Sequence, residues 1–231
     1  MTRVPVRAVF FDVDFTLIYP GPTFQGEGYT RFGAEYGITL DSRRFDLAVR
    51  AASGILNEAQ EHAYTDEIFI RYTRRIIEEM GGTGPRLEEC ATRVYVEWAA
   101  CRHFFLYDDV TPVLRELASR GVKVGLISNS HRSLASFEEH FDLRGLIGGG
   151  VSSSEHGFLK PHPSIFETAL RQLDVTAGES LMVGDSLSHD IEGAMSVGMR
   201  SVLVVRSDNG PFHAVPDVPV IRDLSEVLLH L

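Results

Sequence analysis

VRAVFFDVDFTL, Val6 to Leu17, is the stretch on which the fold turns. Its first six residues are mostly β-branched or aromatic, and the apolar run stops abruptly at Asp12. A short, continuous apolar run of this composition predicts a buried strand. Two carboxylates, Asp12 and Asp14, stand at its end.

Outward from this strand the chain has two textures. From about Ile18 to Phe105 no strong strand is predicted, and apolar residues recur at helical spacing. Phe45, Val49, Ala52 and Leu56 share one face; Ile68, Tyr72, Ile76 and Met80 share a second; Leu87, Cys90, Val94, Trp98 and Cys101 share a third. Gly81, Gly82, Gly84 and Pro85 separate the last two. From about Asp108 strands and helices alternate. A helix through Val110, Val113, Leu114 and Leu117 leads to a strand over Val122 to Ile127, and a helix follows from Ser133 to about Phe141. A weaker strand lies near Ile147 to Val151, then a helix through Ile165, Ala169 and Leu173. A short strand over Leu181 to Val183 precedes a helix from about His189 to Val197, stopped by Gly198. Ser201 to Val205 is a last strand, and a helix is expected from about Asp223. This alternation predicts an α/β fold, a Rossmann-like parallel sheet with helices on both faces. The helical block is an insertion after the first strand.

Composition narrows the function. The chain has 231 residues, 44% of them hydrophobic, enough for a sizeable core. Its 22 basic and 32 acidic residues give a formal net charge of −10, which argues against general nucleic-acid binding. An anionic substrate must therefore be drawn by local positive charge or a metal. No apolar stretch approaches the ~18–20 residues that span a bilayer, and the run Ala8 to Phe11 is too short for a secretion signal. A soluble, cytoplasmic protein with no membrane partner is expected. Cys90 and Cys101, read as lying on one helix, would be about 16 Å apart, too far for a disulfide. They are expected as free, buried thiols, which fits a reducing compartment.

In open α/β sheets ligands bind at the carboxyl ends of the strands. The first strand ends at Asp12-Val13-Asp14-Phe15-Thr16, and the second at Ser128-Asn129-Ser130. Lys160 lies in a loop after the weaker strand, and another strand ends at Gly184-Asp185, with Asp190 five residues on. A carboxylate can attack phosphorus and form an aspartyl-phosphate. Magnesium, which prefers oxygen ligands, screens the two negative partners. A lysine steadies the phosphoryl oxygens. A second acid protonates the leaving alcohol and then activates water. Asp12, Asp185, Lys160, Ser128 and Asp14 supply these parts. Singly each has an ordinary reading: the aspartates as caps or turn residues, Lys160 as a surface lysine, Ser128 as a cap. Their order, each at a strand end, carries the chemistry.

With these motifs in view, the sequence resembles the haloacid dehalogenase-like (HAD) hydrolase superfamily, in the branch with a helical cap after the first motif. FFDVDFTL, LISNS, GFLKPHPSIF and MVGDSLSHDIEGAMSVGM correspond to its four motifs, over nearly the whole chain. The resemblance implies a core of residues 1–17 and 106–231 and a helical cap domain of residues 18–105. It implies Asp12 as nucleophile and Asp14 as acid/base, with Asp14 lending its main-chain carbonyl to Mg2+. Asp12 and Asp185 would ligate the ion through their side chains, and Asp190 would support the site from behind. Ser128 and the amide of Asn129 would hold phosphoryl oxygens, with Lys160 bridging nucleophile and phosphate. Phe15 departs from the pattern, standing where a small residue, usually glycine, is common.

True dehalogenases of this superfamily lack the second aspartate, because a halide leaves unprotonated. Asp14 and the Asp185/Asp190 pair therefore favour a phosphatase acting on a small phosphorylated metabolite, as a monomer or homodimer. A phosphomutase, a haloacid dehalogenase and a non-catalytic binding protein on the same fold are the alternatives. Substrate choice is expected in the insert, with Tyr19, Thr23, Phe24, Arg31, Arg50 and Tyr64 as candidates. His131, Arg132, His156 and His162 lie near the core motifs, without an assigned role.

Overall fold

The computed structural model describes residues 4–58, 62–206 and 218–231. The chain divides into two compact units, Met1–Tyr19 with Leu106–Leu231, and Pro20–Phe105. In chain order, strand β1 (Ala8–Phe11) and the short β2 (Ile18–Pro20) come first. Helices α1 (Gly26–Glu35), α2 (Phe45–Ala52), α3 (Asp66–Glu79) and α4 (Leu87–Trp98) follow, then β3 (Phe104–Leu106). The rest comprises α5 (Val110–Ser119), β4 (Lys123–Ser128), α6 (Leu134–His140), β5 (Gly149–Ser152), α7 (Ser153–His156) and α8 (Pro163–Leu173). It ends with β6 (Ser180–Gly184), α9 (Gly193–Ser196), β7 (Arg200–Val204) and β8 (Val220–Ile221). Among the described residues no helix is long and apolar enough to cross a membrane.

The first unit is built on a six-stranded parallel sheet in the order β5-β4-β1-β6-β7-β8. The strand of the opening motif is central, and all four of its residues are buried. A strand covered on both faces has no polar alternation to show, which is why it reads as one apolar run. Ala8 and Phe10 join Ile165, Phe166, Ala169 and Leu173 of α8 in one core cluster. Val9 and Phe11 point to the opposite face. Helix α5, with Val110, Val113, Leu114 and Leu117 buried, packs on β4. Because β1 pairs with β4 on one side and β6 on the other, Asp12, Ser128 and Asp185 leave the sheet as neighbours.

The second unit is helical. Phe24 is buried among the rings of Phe32, Trp98, His103 and Phe104. It is therefore a core residue of this unit and not a free specificity contact. Helix α3 carries Asp66 and Glu67 in its first turn, which suits the helix dipole, and the pairs Arg74–Glu78 and Arg75–Glu79 one turn apart. Helix α1 contains Gly26, Gly28 and Gly33, and these low-propensity residues hide it from the sequence.

Four expectations need correction. Helix α4 stops at Trp98, and Cys101 opens a separate 3-10 turn, Cys101–His103, so the two cysteines do not share a helix. Both are nonetheless free and buried. β2 and β3 pair in a two-stranded sheet where no strong strand was expected; at three residues each, they are too short to show a period. The helix expected from His189 begins earlier, as a wide π-type turn over Leu187–Glu192, and becomes α9 only at Gly193. The last helix is a 3-10 segment, Leu224–Leu229, started by an Asp223–Glu226 capping box.

Candidate active site

Asp12 follows the last residue of β1, and its N–H donates to the Val183 carbonyl of β6 at 2.9 Å. This bond locks the start of the loop to the neighbouring strand. Asp12 Oδ1 receives the Lys160 ammonium at 2.6 Å. Lys160 also donates to the Ile127 carbonyl at 2.7 Å and lies 2.7 Å from Asp190 Oδ1. With 2% of its side chain exposed, Lys160 is a buried cation held by two carboxylates and a carbonyl. The Asn129 side chain holds the lysine's backbone, donating to the Lys160 carbonyl at 3.0 Å and accepting its N–H at 2.7 Å. Asn129 thus ties the end of β4 to the lysine loop, a role the sequence did not suggest. Ser128 is buried at the end of β4.

Asp190 is delivered by the π-type turn. Its carboxylate accepts the Ser186 N–H at 3.0 Å and lies against Gly184, where a Cβ would collide with it. That close approach is the physical reason for glycine before Asp185. Asp12, Asp185 and Asp190 each bring a carboxylate oxygen within 4.8 Å of the others. At this separation each pair of charges repels by about 3 kcal/mol at an effective dielectric of 20. Three such pairs rival the whole stability of a domain, and Lys160 supplies one positive charge. Asp12 Oδ2 is buried and has no hydrogen-bond partner among the described residues. A hard divalent cation such as Mg2+ fits this set, with oxygen-only ligands, excess negative charge and one unspent carboxylate oxygen.

The electrostatics follow from burial. It pushes Asp12 up to about 6, against the pull of Lys160 and with a further push from Asp190. Asp185 is held well above the usual carboxylate range by burial and by Asp12 and Asp190. Burial alone would lower Lys160, but Asp12 and Asp190 outweigh it and keep the ammonium charged. Asp14 is also raised by burial, opposed by Arg132. Arg132 Nη1 donates to both Asp14 oxygens at 2.9 Å. Its place near the core motifs was legible in the sequence, but its burial against Asp14 was not.

The other candidates fall elsewhere. Tyr19 stacks near Tyr107, with centroids 4.8 Å apart. The Tyr64 hydroxyl meets Asp66 at 2.9 Å and Tyr95 at 2.6 Å within the helical unit. Arg31 and Arg50 are exposed, and Thr23 is half-buried. His156 and His162 both contact the Ser164 hydroxyl, at 2.8 and 2.7 Å, and so organise the start of α8 beside the Lys160 loop. His131 is half-buried in the turn after β4.

The chain is similar to known proteins along most of its length. A family model described as haloacid dehalogenase-like hydrolase matches residues 6–198. The chain is 31% identical to the N-acylneuraminate-9-phosphatase of Mus musculus, over 91% of this chain and 87% of that one. It is 29% identical to the glyceraldehyde 3-phosphate phosphatase of Methanothermobacter thermautotrophicus, over 96% and 98%. In fold it matches the magnesium-bound putative HAD-hydrolase YfnB of Bacillus subtilis, with a TM-score of 0.74, 22% identity and coverage of 98% and 99%.

Proposed function

The chain belongs to the haloacid dehalogenase-like hydrolase family, and from that premise we propose that it is a magnesium-dependent phosphomonoester hydrolase working through an aspartyl-phosphate on Asp12. The observation that carries this reading is the division of labour on Asp12. One oxygen is neutralised by Lys160, while the other is buried and unspent. A second carboxylate, Asp14, stands two residues on. A dehalogenase would have no use for that second acid.

Mg2+ would be held by the side chains of Asp12 and Asp185 and the main-chain carbonyl of Asp14, with Asp190 behind them. When bound it supplies the positive charge that lets a carboxylate approach an anionic phosphate. The Ser128 hydroxyl, the Asn129 N–H and the Lys160 ammonium bind the phosphoryl oxygens. A carboxylate oxygen of Asp12 attacks phosphorus, and the bond to the ester oxygen breaks. Protonated Asp14 delivers its proton to that oxygen, releasing the alcohol. Asp14, now ionised, takes a proton from water as the water attacks phosphorus. The bond to Asp12 breaks, phosphate leaves, and both carboxylates are restored.

One of these relatives is named a glyceraldehyde 3-phosphate phosphatase and the other an N-acylneuraminate-9-phosphatase. A small sugar-like or glyceraldehyde-like phosphate is the class that this supports. The helical unit, residues 18–105 in the proposed domain scheme, would act as a cap that excludes water and contacts the leaving group. The test is turnover of p-nitrophenyl phosphate with and without Mg2+, beside Asp12→Asn. Magnesium-dependent turnover that the mutant loses by at least about a thousandfold is expected, since losing the nucleophile removes the covalent route. Equal turnover in the mutant, or none that needs magnesium, would sink the proposal. A panel of phosphorylated metabolites then ranks substrates.

A further inference from the structure

We propose that Arg132 is the positioning residue for Asp14, holding the acid/base carboxylate where proton transfer requires it. The inference rests on the reading that Asp14 is the acid/base of a phosphate-ester hydrolase.

Arg132 has 1% of its side chain exposed and Asp14 17%, so the guanidinium lies inside the protein and the carboxylate at a partly open surface. Burying an arginine is costly unless a well-placed anion meets it. Here a single nitrogen, Nη1, is equidistant from both Asp14 oxygens at 2.9 Å, so it restrains the rotation of the carboxylate. The arginine is itself held firmly. Its backbone N–H donates to Ser130 Oγ at 2.8 Å, and the next residue, Ser133, caps α6 by accepting the Ser136 N–H at 3.2 Å. On the other side, the Asp14 backbone bridges to Ile18, and the Phe15 N–H donates to the Ile18 carbonyl at 2.7 Å. With that backbone tied, side-chain rotation is the freedom left to Asp14, and Arg132 removes it.

Two buried cations thus sort three carboxylates. Lys160 takes Asp12 and Asp190, and Arg132 takes Asp14. An arginine favours the ionised form of its partner and stays protonated itself. It therefore neither donates the proton nor keeps it on Asp14. Its contribution is placement, on which proton transfer depends steeply.

Leaving groups of graded quality test this. p-Nitrophenolate departs without a proton, whereas phenolate and p-methoxyphenolate, nearly equal to each other and far more basic, need one. Wild type, Asp14→Asn, Arg132→Gln, Arg132→Lys and the double variant Asp14→Asn/Arg132→Gln are compared on these three aryl phosphates with Mg2+. A well-placed general acid is worth roughly 10²–10⁴-fold. Arg132→Gln should therefore lose about 10- to 100-fold more kcat/KM on phenyl than on p-nitrophenyl phosphate, as Asp14→Asn does, because kcat/KM reports the step in which the leaving group departs. The double variant should lose nothing beyond Asp14→Asn. Arg132→Lys keeps a buried cation and carries the same test if the glutamine variant does not fold; thermal melting decides that.

Equal losses of kcat/KM on all three esters would overturn the inference in favour of a structural role. A rise in KM alone would overturn it in favour of direct phosphate binding, and additive losses in the double variant would also reject it. Wild type without magnesium-dependent turnover would instead sink the phosphatase reading. An Asp14→Asn loss of kcat/KM that ignores the leaving group would sink the assignment of Asp14.

Discussion

At Phe15 the backbone enters the left-handed region, with φ of 65°. An L-residue there costs about 1–2 kcal/mol, which glycine avoids and asparagine largely avoids. The departure seen in the sequence therefore has a conformational meaning: the residue after the second aspartate must turn left-handed. Phe15 is 37% exposed, and burial of the rest of its side chain, worth about 1–2 kcal/mol, is of the same size as the strain. Phe15→Gly and Phe15→Asn should therefore hold the melting temperature to within about 2–4 °C. Phe15→Val, β-branched at the same φ, should lower it. A clear drop for both Gly and Asn in thermal melts would show that the ring's contacts outweigh the strain. Asp12, Asp14, Lys160, Asp185 and Asp190 were legible as candidates because chemistry-bearing residues at strand ends arrive in a chemically meaningful order. Arg132 was not, because sequence holds no sign that a particular arginine is buried against an acid 118 positions away.

Among elements, the junction of β6 with the π-type turn does the most for the site. The strand was legible from its apolar run, and the turn from Gly-Asp and the spacing to Asp190. Its winding was not, because the wider turn still places side chains within the scatter of a short helical pattern. The tail misled in a similar way. A capping box marks where a helix starts, but not whether its turns close three or four residues on, and Leu224–Leu229 winds as a 3-10 helix. Gly184→Ala probes the junction directly. The added methyl must displace the Asp190 carboxylate, which carries the Ser186 N–H and one flank of Lys160. Overpacking of this kind costs about 1–3 kcal/mol, or roughly 2–12 °C in melting temperature for a chain of this size. Activity should fall more than tenfold as Lys160 loses its second anchor. Wild-type kcat with wild-type stability in this variant would mean that Asp190 does not hold the lysine.

For the whole molecule, the net charge of −10 is ordinary, and the concentration of buried acids in one unit is not. An acid whose folded pKa lies above its unfolded value costs stability once both states would otherwise be ionised, and that cost fades as the folded form takes up its proton. Asp12, pushed from 3.8 to about 6, and Asp185, also raised well above its ordinary value, therefore destabilise the metal-free protein at neutral pH. Their contribution improves as the pH falls from about 7 towards 4. His156, lowered by burial and by His162, works the other way below its usual 6.5. Exposed carboxylates with lowered values, such as Asp41 and Asp223, lose their contribution only towards still lower pH. The metal separates these effects, because Mg2+ and protons compete for the same oxygens. Saturating Mg2+ should raise the melting temperature by several degrees at pH 7.5 and much less at pH 5.0, with ionic strength matched. Asp185→Asn removes one buried charge. It should melt higher than wild type without metal at pH 7.5, and its melting temperature should no longer respond to Mg2+. Thermal melts of both proteins at the two pH values check this, and an equal magnesium shift at both pH values would mean that these carboxylates are not where the ion binds.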